Sequence, residues 1–102
     1  MKMIEMFTDY IDEELDDAYK YIKKANEFKD SDPEIASMFY KLSNDEMTHM
    51  DMLHKRVVET IMAHKRQNGA PPAAMEEAYN LLHKRHMAKG EKVTSLQNMY
   101  KR

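Results

Sequence analysis

Apolar residues recur at alternating steps of three and four along residues 1–66, which is the spacing of one face of an α-helix. A first helix is predicted from Lys2 to Lys29, with the stripe Ile4, Phe7, Ile11, Glu14, Ala18, Tyr21, Ala25 and Phe28. A second is predicted from Pro33 to about Arg66, with the stripe Ile35, Phe39, Leu42, Glu46, His49, Leu53 and Val57. No segment shows the period of two that is typical of β-strands. The pattern therefore predicts an all-α fold.

The connection between these two helices is short, which predicts that they pack side by side. Pro33 suits the first position of a helix, and Asp32 suits the N-cap before it. Two amphipathic helices joined by so short a turn form an antiparallel hairpin. Asn68, Gly69 and the prolines that follow are predicted to end the second helix. We therefore assign residues 1–66 to a helical hairpin.

Residues 67–102 are predicted to extend the same domain with further helix. A third helix is predicted from Ala73 to Lys89, with Met75, Ala78, Leu81 and Leu82 on one face. Gly90 is predicted to be its C-cap, and residues 91–100 a short last helix. This tail is basic, and we interpret it as a surface for packing or assembly. The first helix is acidic instead, and Asp9, Asp12, Asp16 and Asp17 are interpreted as a solvated face.

Three members of the two stripes are polar, and they are the candidate chemistry of this chain. Glu46 and His49 are three residues apart, hence about 60° apart around the helix, so both point to the same side. With the bend near Ser31, Glu14 lies about 17 residues before it, and Glu46 and His49 about 15 and 18 after it. All three are therefore expected at one level along the hairpin.

Carboxylates on a buried stripe need a partner, because burying an unpaired charge costs several kcal/mol. No lysine or arginine falls on either stripe near this level. Divalent cations balance two carboxylates and an imidazole, and this donor set suits iron or manganese, with zinc also suitable. Two alternatives stay open: Glu13 or Leu15 defines the inward face of the first helix, or Glu46 and His49 form an exposed pair.

The remaining histidines give weaker signals. His83 and His86 have the i, i+3 spacing of a metal-binding pair, but they lie in a basic run and we interpret them as exposed. His54 and His64 have no companion ligand in register.

The segments Glu13-Glu-Leu-Asp-Asp-Ala-Tyr-Lys-Tyr21 and Asp45-Glu-Met-Thr-His49 together resemble the ferritin-like superfamily. The resemblance covers roughly residues 5–57 and is strongest to the encapsulated ferritins, with similarity to the rubrerythrins as well. It implies that Glu14, Glu46 and His49 ligate iron. A complete di-iron site needs four glutamates and two histidines, so two chains would dimerise into one four-helix bundle.

The same resemblance implies roles for three further residues. Tyr21 matches an aromatic two turns after the first ligand and is a candidate catalytic residue, although a core aromatic is the alternative. Glu13 and Asp17 match an acidic surround through which metal enters. The C-terminal region departs from the pattern, because it has no second Glu-x-x-His. Its segment Lys92-Val-Thr-Ser-Leu96 resembles a shell-targeting peptide only faintly.

The function implied by the resemblance is oxidation of Fe(II) by dioxygen at a di-iron carboxylate centre, a ferroxidase activity. The alternatives are a metal-free adaptor that binds a protein partner or shell through its basic tail, and a peroxide-scavenging enzyme like the rubrerythrins. The absence of cysteine excludes thiolate metal sites and disulfides. A net charge of −2 gives no general attraction to nucleic acid. We expect a cytoplasmic homodimer or larger homo-oligomer with no nucleic-acid or membrane partner.

Overall fold

Three α-helices make up the computed structural model, which describes residues 2–102. They are α1 (Lys2–Phe28), α2 (Pro33–Asn68) and α3 (Ala73–Lys101). No strand occurs within residues 2–102, so the predicted all-α class is confirmed. The molecule is elongated, with extents of 55 × 19 × 18 Å. None of the three helices is long and apolar enough to cross a membrane.

The ends of α2 follow the predicted capping residues. Asp32 is the N-cap, and its Oδ1 accepts a hydrogen bond of 3.2 Å from the backbone N–H of Ile35. At the other end, Gly69 adopts a φ of 78° in the left-handed region that favours glycine. Its N–H donates to the carbonyl of Lys65 at 2.9 Å. These local signals therefore define α2 from its first residue to its last.

The core of α1 is rotated by one residue from part of the predicted stripe. Its buried residues are Ile4, Thr8, Ile11, Leu15, Ala18, Ile22 and Ala25. The predicted members Phe7, Glu14, Tyr21 and Phe28 are only half-buried. For the first three of these, the next residue is buried instead (Thr8, Leu15 and Ile22), and Leu15 is 1% exposed. The alternative in which Leu15 defines the inward face is the correct one.

The inward face of α2 is shifted in its first half. Ala36 and Ser43 are buried although they lie outside the predicted stripe, whereas Ile35 and His49 of that stripe are exposed; Val57 is buried as predicted. The hydroxyl of Ser43 donates a 2.8 Å hydrogen bond to the carbonyl of Ala18 and accepts one of 3.1 Å from the side chain of Gln97. Ser43 thus lies where α1, α2 and α3 meet, and its partners satisfy its polar atoms.

Two predictions about the C-terminal region are wrong. Gly90 does not cap a helix, because α3 continues through it to Lys101. A helical glycine costs about 1 kcal/mol relative to alanine, and the full burial of Val93 beyond it outweighs that cost. The predicted inner face is also wrong in part, since Leu81 is 70% exposed. Leu82 lines the interior side as predicted, together with Tyr79.

Charged side chains hold α3 against α1. Oδ1 of Asp12 lies 3.0 Å from Nε2 of His86 and 3.4 Å from Nζ of Lys89, and Arg85 donates to Oδ2. Burial alone would raise the pKa of Asp12, but His86, Arg85 and Lys89 together lower it. His86 is only 6% exposed. The predictions of a solvated Asp12 and an exposed His86 are therefore wrong, since the basic tail packs onto this acidic residue.

Candidate metal centre

The α1–α2 hairpin has two faces, and α3 covers one of them. The contacts of α3 fall on Asp12, Asn26, Tyr40 and Ser43. The other side of the hairpin, here called the open face, consists of Phe7, Glu14, Tyr21, Phe28, Phe39, Leu42, Glu46, His49 and Leu53. Ring contacts join its two helices, because Tyr21 and Phe28 stack on Phe39 with centroid separations of 6.2 and 6.3 Å.

Glu14, Glu46 and His49 meet in the middle of the open face. Each offers a ligand atom, and these atoms all lie within 4.8 Å of one another. Nδ1 of His49 is 3.5 Å from Oε2 of Glu14 and 3.9 Å from Oε1 of Glu46. The structure therefore brings together the three residues that the sequence singled out, on two different helices.

Helix geometry explains why these side chains are accessible although they border the core. Glu14 precedes the buried Leu15 by one residue, which turns it about 100° from the direction of closest packing. The exposed fractions of the side chains are 25% for Glu14, 19% for Glu46 and 54% for His49. The carboxylates thus lie at the floor of the site, and the imidazole lies at its rim.

The two carboxyl groups disturb each other electrostatically. A side-chain hydrogen bond with Glu14, burial, and the negative charge of Glu14 together raise the pKa of Glu46 to about 7, against the opposing effect of His49. Oε2 of Glu14 is buried and accepts no hydrogen bond. Two close carboxylates that cannot both ionise freely share a proton instead. A cation of higher charge would satisfy both groups at once.

The donor set fits a divalent transition metal better than an ion pair with the chain itself. Among residues 2–102, the only basic side chain within 4.0 Å of Glu14 or Glu46 is that of His49. Bonds of about 2.0–2.2 Å from carboxylate oxygen and imidazole nitrogen to a metal place neighbouring ligands about 3–4 Å apart. The observed separations of 3.5 and 3.9 Å fall in this range.

Tyr21 lies outside the three-residue cluster. It is two turns beyond Glu14 along the open face, and its half-buried ring packs against Phe39 with an interplanar angle of 26°. This contact is that of a packing aromatic. A catalytic role for Tyr21 stays a prediction.

The two acidic residues predicted to surround the site differ in their relation to it. The charge of Asp17 contributes to the raised pKa of Glu46, so it acts on the cluster through space. Asp17 also lies 3.9 Å from Nζ of Lys20. Glu13 is exposed on the neighbouring surface of α1. Their role in metal entry stays a prediction.

One pair of residues with ligand chemistry had no signal in the sequence. Nε2 of His54 lies 3.3 Å from Nδ1 of His83, between α2 and α3. The i, i+3 spacing along the helix relates His83 to His86. The proximity of His83 to His54 arises from the packing of α3 against the hairpin.

Comparison of this chain with protein-family models, with curated proteins and with solved structures finds no match. The resemblance to the ferritin-like superfamily therefore depends on the residues quoted from the sequence.

Proposed function

We propose that this chain is one half of a dimeric di-iron carboxylate protein that oxidises Fe(II) with dioxygen. The observation that carries the proposal is the convergence of Glu14, Glu46 and His49 on the open face, with a buried carboxylate oxygen of Glu14 that accepts no hydrogen bond. An incomplete ligand set with an unsatisfied acceptor is what half of a shared metal site would present.

The ligand count supports a dimer. A di-iron centre in a four-helix bundle takes one glutamate from each of two helices and a Glu-x-x-His pair from each of the other two. Here α1 supplies Glu14, and α2 supplies Glu46 and His49. A second chain related by a two-fold axis would add the same three residues from the opposite side. The hairpin would then form a four-helix bundle with its own copy.

The surroundings of the cluster suit this pairing. Apolar side chains flank it along the open face in both directions, and Phe7, Tyr21, Leu42 and Leu53 are all half-buried within a single chain. Packing against a second copy would complete their burial, at about 25 cal/mol per Å² of apolar area removed from water. Removing water would also strengthen the interaction of both carboxylates with a cation.

The residues of the chain would perform three tasks in this reaction. Glu14 and Glu46 would bind Fe(II) as substrate and release the proton that they share. His49 would bind as a neutral imidazole, whose nitrogen is a good ligand for iron. The hard carboxylate oxygens would then favour the Fe(III) product, because they stabilise the additional positive charge. Asp17 and Glu13 would raise the local concentration of cations near the site.

An anaerobic Fe(II) titration, followed by light scattering, tests the proposal. The expected result for the wild-type chain is one Fe(II) per chain in a particle of at least two chains. Glu46→Ala should abolish this binding. Glu59→Ala is the matched control, because Glu59 lies on the same helix and, in the part of the chain that the structure describes, pairs with exposed Arg56.

Three outcomes separate the alternatives. An unchanged iron stoichiometry in Glu46→Ala would rule out this site. A wild-type chain that is indifferent to Fe(II) would favour the metal-free adaptor. Faster oxidation of bound iron by hydrogen peroxide than by dioxygen would favour a peroxide-scavenging enzyme.

A further inference from the structure

A second pair of metal-ligating side chains lies between α2 and α3. We propose that His54 and His83 form a site for a borderline transition-metal dication of the zinc type, separate from the Glu14 cluster. Nε2 of His54 and Nδ1 of His83 are 3.3 Å apart, and the two ring planes differ by 23°. The proposal does not depend on iron binding at the open face.

The contact between the two rings is an N–H···N hydrogen bond whose donor is set by the tautomers of the two imidazoles. If both facing nitrogens carried a proton, their N–H groups would collide, and if neither did, their lone pairs would repel. One proton therefore lies between them when no metal is bound. A zinc ion can replace that proton. Two imidazole nitrogens on tetrahedral zinc, with bonds of about 2.0–2.1 Å, lie about 3.3 Å apart, which is the separation seen here.

The groove around the pair has room for the remaining ligands. It has a volume of about 560 Å³, and Asp51, His54 and His83 all line it. Asp51 lies one turn before His54 on the same side of α2, and it is exposed. A change of side-chain rotamer would bring its carboxylate toward the two imidazoles. Water would then complete a four-coordinate site.

His86 also borders this groove but is not assigned as a ligand. Its Nε2 lies 3.0 Å from Oδ1 of Asp12 and faces α1. Burial lowers the pKa of His86, against the opposing effect of Asp12. His86 therefore belongs to the contact between α3 and α1, and the ligand pair is His54 with His83.

Position and ligand type distinguish this site from the Glu14 cluster. His54 lies eight residues after Glu46 on α2, which is about 12 Å along the helix axis and about 80° around it. Two imidazoles favour zinc, nickel and copper, whereas two carboxylates with one imidazole suit iron and manganese. A metal at His54 and His83 would also link α2 to α3, which packs mainly on α1.

Calorimetric titration with Zn²⁺ tests the site in the full-length Glu14→Ala/Glu46→Ala double variant, which lacks the carboxylates of the open face. We expect one Zn²⁺ per chain. Adding His54→Gln or His83→Gln should weaken binding by more than about tenfold, since loss of even an indirect partner of a metal ligand costs about 10–100-fold. His64→Gln is the matched control, because His64 lies on the same helix and its side chain contacts Asn68 within residues 2–102.

Two results would overturn the proposal: no Zn²⁺ binding by the double variant, or binding within about twofold of it after removal of either histidine. Nuclear magnetic resonance of the unaltered chain provides a test that needs no variant. Substoichiometric Cu²⁺ should broaden the ring signals of His54 and His83 and leave those of His64 sharp. Broadening confined to His49, or equal at all histidines, would contradict the site.

Discussion

The two faces of the α1–α2 hairpin differ in the groups that surround their acidic side chains. On the face covered by α3, Ser43 donates to Ala18 and accepts from Gln97, and Asp12 is held by basic side chains. Two buried side-chain atoms make no hydrogen bond within residues 2–102: Oε2 of Glu14 on the open face, 3.5 Å from Nδ1 of His49, and Nε2 of His86 on the covered face, 3.0 Å from Oδ1 of Asp12. The difference is in the neighbours of the carboxylates: Asp12 lies beside three basic side chains of α3, whereas Glu14 and Glu46 lie beside each other and His49.

The largest expected effect is the loss of Asp12 from the covered face. Asp12→Ala would leave His86 buried without its carboxylate and remove the anchor of Arg85. We expect a decrease of about 2–4 kcal/mol in the free energy of unfolding, measured with urea. Asp9→Ala is the control and should change stability by less than about 0.5 kcal/mol, because Asp9 is exposed. Equal effects of the two variants would contradict the assigned role of Asp12.

A second expected effect concerns Ser43, at the junction of the three helices. Ser43→Ala removes two hydrogen bonds and leaves the carbonyl of Ala18 without that donor. A loss of about 1–3 kcal/mol in unfolding free energy should follow. Ser37→Ala, at a half-buried position of the same helix, serves for comparison and should cost less. If both substitutions lowered the unfolding free energy equally, the hydrogen bonds of Ser43 would not stabilise the junction.

On the open face, the raised pKa of Glu46 should make the stability of the metal-free protein depend on pH. The folded state raises the pKa of Glu46 from 4.5 to about 7, so it binds this proton more tightly than the unfolded state does. Between about pH 4.5 and 7 the unfolded state has lost the proton while the folded state keeps it, so stability falls as pH rises through this window. Glu46→Gln should remove this contribution to the change of unfolding free energy with pH.

Urea midpoints of the two proteins at pH 5 and pH 8 would check this pH dependence. The wild-type chain should lose more stability than Glu46→Gln over that interval. If the variant lost as much stability as the wild-type chain over this interval, or more, the predicted effect of Glu46 would be contradicted. Adding Fe(II) should stabilise the wild-type chain alone, because the metal binds the folded state of that protein.

The smallest expected effect is a gain in stability within α3. A β-carbon added at Gly90 would lie 4.0 Å from Cδ2 of Leu15, which is ordinary van der Waals contact. Gly90→Ala should therefore raise the unfolding free energy by about 0.5–1 kcal/mol through helix propensity alone. Thermal unfolding would detect this gain, and a loss of stability would show that the α1–α3 contact needs the glycine.

Much of this architecture could be predicted from local signals. Asp32, Pro33 and Gly69 mark the ends of α2 through capping and backbone conformation, which depend on neighbouring residues only. The clustering of Glu14 with Glu46 and His49 could also be predicted, because a short turn and a constant rise per residue determine the level of each side chain.

The features that could not be predicted depend on how the three helices pack against one another. Steps of three and four describe a broad stripe, so they did not show that Leu15 rather than Glu14 faces the partner helix. Gly90 was predicted to end a helix from the local sequence. The helix continues because Val93 beyond it is buried, and this burial depends on tertiary packing that the local sequence does not show. His54 and His83 are 29 positions apart, and no local pattern relates them.

The most direct test of the central proposal is to locate iron in crystals of the iron-loaded protein by anomalous diffraction. The account predicts two iron peaks between paired open faces, each close to Glu14, Glu46 and His49 and shared between two chains. Iron absent from this position, or open faces turned to solvent with their Glu46 residues far apart, would contradict it.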